Sequence, residues 1–290
     1  MNEIQLITNA DDFGMNESIT DAILETHLNG IMTSTTLMVN MPGFDYAVKK
    51  AKENQTLGVG IHFNLTEGKP VSSPNLIPEL LGENGLFKTN AIQRKNLLVG
   101  KEIYKQAYIE LKAQLEKMFD SGIVPTHFDS HHHITGVPMA LKASVKVAKE
   151  LKIEKARITN IDFCYTNKYN GSILTKFKRE VLNTPKALVH KWNKSKLRSN
   201  GFKTPDTKLL PTRVLPLQHD EVEQFIQALS ILKPGVTEIS LHPGYMNSNP
   251  HDSVNTASLR IRDFNVATSK KVEDYLSENQ IKLISFKDLR

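Results

Sequence analysis

Short apolar, β-branched runs alternate along this chain with segments whose apolar residues recur at helical spacing. Ile4-Gln5-Leu6-Ile7-Thr8 reads as a strand leading to a helix over 18–28, where Ile19, Ala22, Ile23 and Thr26 share one face and Gly30 ends it. A second strand is expected over 34–40, then a helix over 45–54 and a third strand over 57–63. Residues 65–96 read as loop, punctuated by Pro70, Pro74, Pro78, Gly82 and Gly85. The strongest helical signal is 103–119, with Ile103, Ala107, Leu111, Leu115 and Met118 on one side. The alternation continues with a strand at 124–129, a helix at 139–151 and the apolar run Ala156-Arg157-Ile158-Thr159. It resumes with a helix at 221–232, a strand at 237–241, a helix at 266–278 and a last strand at 281–286.

Repeated strand–helix units argue for a parallel sheet covered by helices, an α/β fold. About six or seven units suit either a barrel or an open doubly wound sheet. The position of the polar residues favours the barrel. They follow several different strands, whereas an open sheet would concentrate them at one switch point. One domain over residues 1–290 is expected.

Composition narrows the chemistry. Cys164 is the single cysteine, which excludes an internal disulfide framework and a cysteine-rich zinc module, so any metal would rest on histidine and carboxylate. No secretory-type leader or long apolar span is evident, so a cytoplasmic protein without a membrane partner is expected. The formal charge of +6 is local, concentrated in a basic insertion at about 164–212 that includes Lys176, Lys178, Arg179, Lys191, Lys194, Lys196 and Arg198. A solvated insertion is the first reading of that stretch; a lid attracting an anionic substrate is the second. No nucleic-acid-binding motif accompanies the charge, and nucleic acid is not expected as a partner.

Four polar segments sit where strands hand over to loops: Asn9-Ala10-Asp11-Asp12-Phe13-Gly14, Gly60-Ile61-His62-Phe63-Asn64, His127-Phe128-Asp129-Ser130-His131-His132-His133 and Ser240-Leu241-His242-Pro243-Gly244. Each alone has an ordinary reading, as a helix cap, a buried histidine, an incidental histidine run or a turn. Together, one carboxylate and two imidazoles such as Asp12, His62 and His131 make a facial set that leaves positions open on a divalent ion. Asp129 is placed to fix the tautomer of a histidine ligand. Any of the three consecutive histidines could be that ligand; on an extended strand His131 and His133 would share a face.

These segments, with Gly30-Ile31-Met32-Thr33-Ser34-Thr35-Thr36 and His242-Pro243-Gly244-Tyr245, resemble the YdjC-like carbohydrate deacetylases, which include chitooligosaccharide (chitin disaccharide) deacetylases. The likeness runs over about 4–160 and resumes near 237–290. It implies a divergent (β/α) barrel related to the polysaccharide deacetylase (NodB-like) barrels, and a divalent metal, Mg2+ first and Zn2+ second. It implies removal of an N-acetyl group from an amino-sugar oligosaccharide of the chitobiose kind, releasing acetate. Carried over, Asp12, His62 and His131 are metal ligands, Asp11 is the catalytic base and His242 supplies the general acid. Supporting or substrate-contacting roles fall to His127, Asp129, His133 and Arg262; Arg260 and Arg262 both resemble a late arginine of the family, and a surface helix start explains them equally well. The chain departs from the pattern at Thr135, where a further histidine is common, and across the basic insertion. Rival readings are a metal-dependent hydrolase of another acylated or phosphorylated sugar and a catalytically silent sugar-binding protein. A homodimer is compatible with the sequence.

Overall fold

The computed structural model describes residues 3–159, 191–209, 220–249, 252 and 254–290. Seven parallel strands form one sheet: β1 (Ile4–Phe13), β2 (Ser34–Leu37), β3 (Gly58–Phe63), β4 (Phe128–Ser130), β5 (Thr207–Leu209), β6 (Gly235–Leu241) and β7 (Lys282–Ile284). The order is β4-β3-β2-β1-β6-β5, and β7 pairs the first half of β1 on the side where β2 pairs its second half. Between β4 and β5 the circuit is carried by single bridges, Phe128 to Ala156 and Lys155 to Lys203. The apolar run at 156–159 thus contributes a single bridge rather than a strand, and the barrel is divergent in the sense anticipated.

The helices pack outside: α1 (Glu17–Leu28), α2 (Phe44–Glu53), α3 (Asn90–Asn96), α4 (Lys101–Asp120), α5 (Pro138–Glu150), α6 (Glu221–Leu229), α7 (Val254–Ala267) and α8 (Lys270–Glu278). Strands buried on both faces explain the near-continuous burial of β1, β2 and β3. Leu6 and Ala10 of β1 join the main core, while Ile7, on the opposite face, joins Ile284, Phe286 and Leu289 in a separate cluster. Asn9 and Asp11 share the face of Ile7 by the period of two, further toward the C-terminal strand ends.

Five expectations change. The helix read at 266–278 starts only at Lys270, because Thr268 and Ser269 turn the chain, and the helix before it, α7, was not expected as a separate element. The strand read at 124–129 begins only at Phe128; Pro125 offers no donor, although Thr126 already donates to Val59. The histidine run is a 3₁₀ turn (His131–Gly136) with left-handed backbone at His132 and His133, so the strand alternation expected there does not apply. The loop region contains α3, and the basic insertion contains β5. Cys164 and most of that insertion lie outside the described residues. Among the described residues no helix is long and apolar enough to cross a membrane.

Candidate active site

Asp11 and Asp12 end β1, His62 lies on β3, Asp129 on β4, His131 just after β4 and His242 just after β6. All therefore gather at the C-terminal ends of the strands. Two neighbouring strand residues would normally point to opposite faces. Here the β1–β2 register shifts between Ala10 and Phe13, and Asp12 adopts φ 72°. That bulge turns both carboxylates toward one pocket of about 410 Å³.

Asp12 Oδ1 stands 3.1 Å from His131 Nδ1 and 3.7 Å from His62 Nε2. It is buried and has no hydrogen bond aligned to it. Asp12, His62 and His131 offer ligand atoms that lie within 4.8 Å of one another. This donor set, with a buried carboxylate oxygen left over, fits a divalent cation. His62 Nδ1 meets Asp129 Oδ1 at 2.6 Å and Thr36 Oγ1 at 3.0 Å, which directs its Nε2 lone pair at Asp12. Burial opposes charge on His131, but the Asp12 and Glu67 carboxylates beside it carry its pKa up to about 9.

Around this cluster the structure adds further partners. Arg157 holds Asp11 bidentately, with Nη1 and Nη2 each donating at 2.7 Å, and also reaches Asp129 and Glu238. Arg260 Nη2 donates to Asp12 Oδ2 at 2.9 Å, and its Nε donates to Asp252 at 2.6 Å. Burial works against ionised aspartates here. Arg157 and His242 beside Asp11, and Arg260 and His131 beside Asp12, nevertheless hold both carboxyls well below the usual carboxylate range. His242 Nε2 lies 3.7 Å from Asp11 Oδ2, and Asp263 accepts from the His242 backbone N–H at 2.7 Å.

The remaining expected residues separate. His133 lines the pocket beside His131 and His132. His127 does not: it is fully buried, stacked on Phe286 with ring centroids 3.5 Å apart, and burial pushes its pKa down to about 3. A direct substrate contact by His127 is therefore excluded in this arrangement. Arg260, rather than Arg262, faces the pocket. Two residues apart on α7, they point about 200° apart, and Arg262 instead donates to Gln224 of α6. Arg260 was legible only together with Arg262, as a resemblance to a late arginine of the family; Arg157, Asp263 and Glu67 had no such signal.

The YdjC-like protein family profile matches residues 5–278. The chain is 32% identical to a carbohydrate deacetylase of Clostridium beijerinckii, covering 99% of this chain and 100% of that one. It is 31% identical to a carbohydrate deacetylase of Brevibacillus brevis over the same shares. Among solved structures it resembles a candidate cellobiose-phosphate cleavage protein from Enterococcus faecalis V583, with TM-score 0.75, 27% identity and 98% of each chain covered. Strand-end aspartates, histidines and a barrel sheet thus come with a match along nearly the whole length: the chain belongs to the YdjC-like family.

Proposed function

We propose that the chain is a metal-dependent carbohydrate deacetylase that hydrolyses the N-acetyl group of an amino-sugar oligosaccharide such as di-N-acetylchitobiose. The observation that carries this reading is the convergence of Asp11, His242 and the Asp12–His62–His131 cluster on one pocket wall. Full-length relatives named carbohydrate deacetylase support the substrate class.

Asp12, His62 and His131 would hold the cation, magnesium in the first instance or zinc. Bound there, it would supply Lewis-acid polarisation of the acetamide carbonyl and acidify water. Asp11 stays ionised because Arg157 neutralises its surroundings, so it can take the proton of the attacking water. An amide nitrogen leaves poorly as an anion and needs a proton as the C–N bond breaks. His242, 3.7 Å from Asp11 and partly open to the pocket, would donate it. Acetate and a free amine result.

Acetate release from di-N-acetylchitobiose by chelator-stripped protein re-supplied with magnesium or zinc, beside Asp11→Asn, tests the reading. Metal-dependent release that Asp11→Asn lacks is expected. Bound metal without release would redirect the substrate assignment; neither metal nor release would sink the mechanism.

A further inference from the structure

The two imidazoles of the cluster are held in the same manner from different parts of the chain. His62 shows its Nε2 to Asp12 while Asp129 takes its Nδ1. His131 shows its Nδ1 to Asp12 at 3.1 Å, and its Nε2 meets Glu67 Oε2 at 2.9 Å. We propose that Glu67 is the positioning residue for His131: it accepts the Nε2 proton and thereby keeps the Nδ1 lone pair aimed at the cation site. The inference rests on the metal reading above.

Glu67 is placed for this by a chain of buried amides. Asn64 is fully buried and is fixed by Gln114 of α4, which accepts from its N–H at 3.0 Å and donates to its carbonyl at 2.6 Å. The Asn64 side chain then brackets Glu67, accepting from its N–H at 3.1 Å and donating to its carbonyl at 2.8 Å. Asn40 donates to the same carbonyl at 3.0 Å. From the other side the histidine turn is pinned to this loop. Thr66 Oγ1 meets His132 Nδ1 at 2.9 Å, and Arg94 donates to the His132 carbonyl at 3.1 Å. A carboxylate anchored by its own backbone can orient a ring, because little freedom is left for the pair to lose. The competing role is contact with substrate, since the Glu67 side chain is 36% exposed and lines the pocket.

Magnesium and zinc would be titrated calorimetrically into chelator-stripped wild type, Glu67→Gln and Glu67→Ala, with ¹⁵N–¹H spectra of the zinc-saturated proteins reporting which His131 nitrogen keeps its proton. Removal of such a partner should weaken metal binding roughly 10–100-fold in Glu67→Ala. The spectra should then show His131 losing its single Nε2–H form. Glu67→Gln still accepts the proton and should keep the tautomer and most of the affinity. At saturating metal, KM should stay near the wild-type value in both. Unchanged affinity and tautomer in Glu67→Ala would overturn the proposal alone, and a raised KM alongside them would give Glu67 to the substrate. Wild type that binds neither metal would overturn this proposal together with the metal reading beneath it.

Discussion

Arg157 grips Asp11 with both terminal nitrogens, Nη1 to Oδ2 and Nη2 to Oδ1, each at 2.7 Å. The same guanidinium reaches Asp129, which holds His62, and Glu238 of β6. One buried cation therefore ties the proposed base to the support of a proposed ligand. Its planar fork makes that pairing directional, which an ammonium cannot reproduce.

Arg157→Ala should leave buried carboxylates facing one another without a cation. Breaking a buried pair in this way costs about 3–5 kcal/mol. Urea denaturation at neutral pH is the check. Arg157→Lys should recover much of the stability but little of the acetate-releasing rate, because a point charge cannot hold both Asp11 oxygens. Equal stability for all three proteins would remove Arg157 from this role.

Asp12→Asn should fold and yet lose the metal. Asn tolerates the left-handed backbone that φ 72° imposes at this position, so the bulge survives. The anionic ligand does not. The loss in affinity should exceed the roughly 10–100-fold typical of removing a mere supporting partner. Elemental analysis after dialysis, with a melting curve beside it, measures both halves.

His242→Ala should separate substrates by leaving group. Hydrolysis of the sugar amide should fall about 100-fold or more, since general acid catalysis supplies factors of that size. An activated aryl acetate, whose phenolate leaves without a proton, should suffer far less. A uniform loss on both would assign His242 to binding or structure instead.

Acid should destabilise the fold through His127. Its folded pKa is about 3, against an ordinary value of 6.5, because burial disfavours the charged ring. Between those values the unfolded chain binds the extra proton. The stabilisation is therefore complete above about pH 6.5 and falls with decreasing pH, by up to roughly 1.4 kcal/mol per pH unit. Denaturation midpoints at pH 5 and 6.5 should differ by less in His127→Phe, which cannot protonate and keeps an aromatic face for Phe286.

Gly60→Ala should destabilise without touching the chemistry. A Cβ there would fall 2.5 Å from the His127 ring and 2.8 Å from the His127 carbonyl oxygen. The ring is trapped against Phe286 and the carbonyl belongs to the sheet, accepting from Ile61 N–H, so neither can retreat. A cost of about 1–3 kcal/mol is expected from overpacking of this kind. A wild-type melting temperature would show that β3 and β4 can separate.

Much of this molecule follows from local pattern. The apolar, β-branched runs of β1 and β3, the helical face of α4 and the glycine after α1 are short-range signals, and each element formed close to its expected place. Asp11, Asp12, His62, His131 and His242 were legible as a group because each stands at a strand end, and parallel strands bring those ends together. The tertiary structure alone decided the rest. Whether Asp11 and Asp12 face the same way depends on a register shift against β2, a property of two strands and not of one. The choice of Arg260 over Arg262 is set by how α7 sits on α6 and β1. Arg157 finds Asp11 across 146 residues of sequence and Arg260 finds Asp12 across 248. No helical or strand period carries information over such distances. A buried charge takes whichever opposite charge the packed barrel brings within reach, and that partner is defined only once the strands are paired.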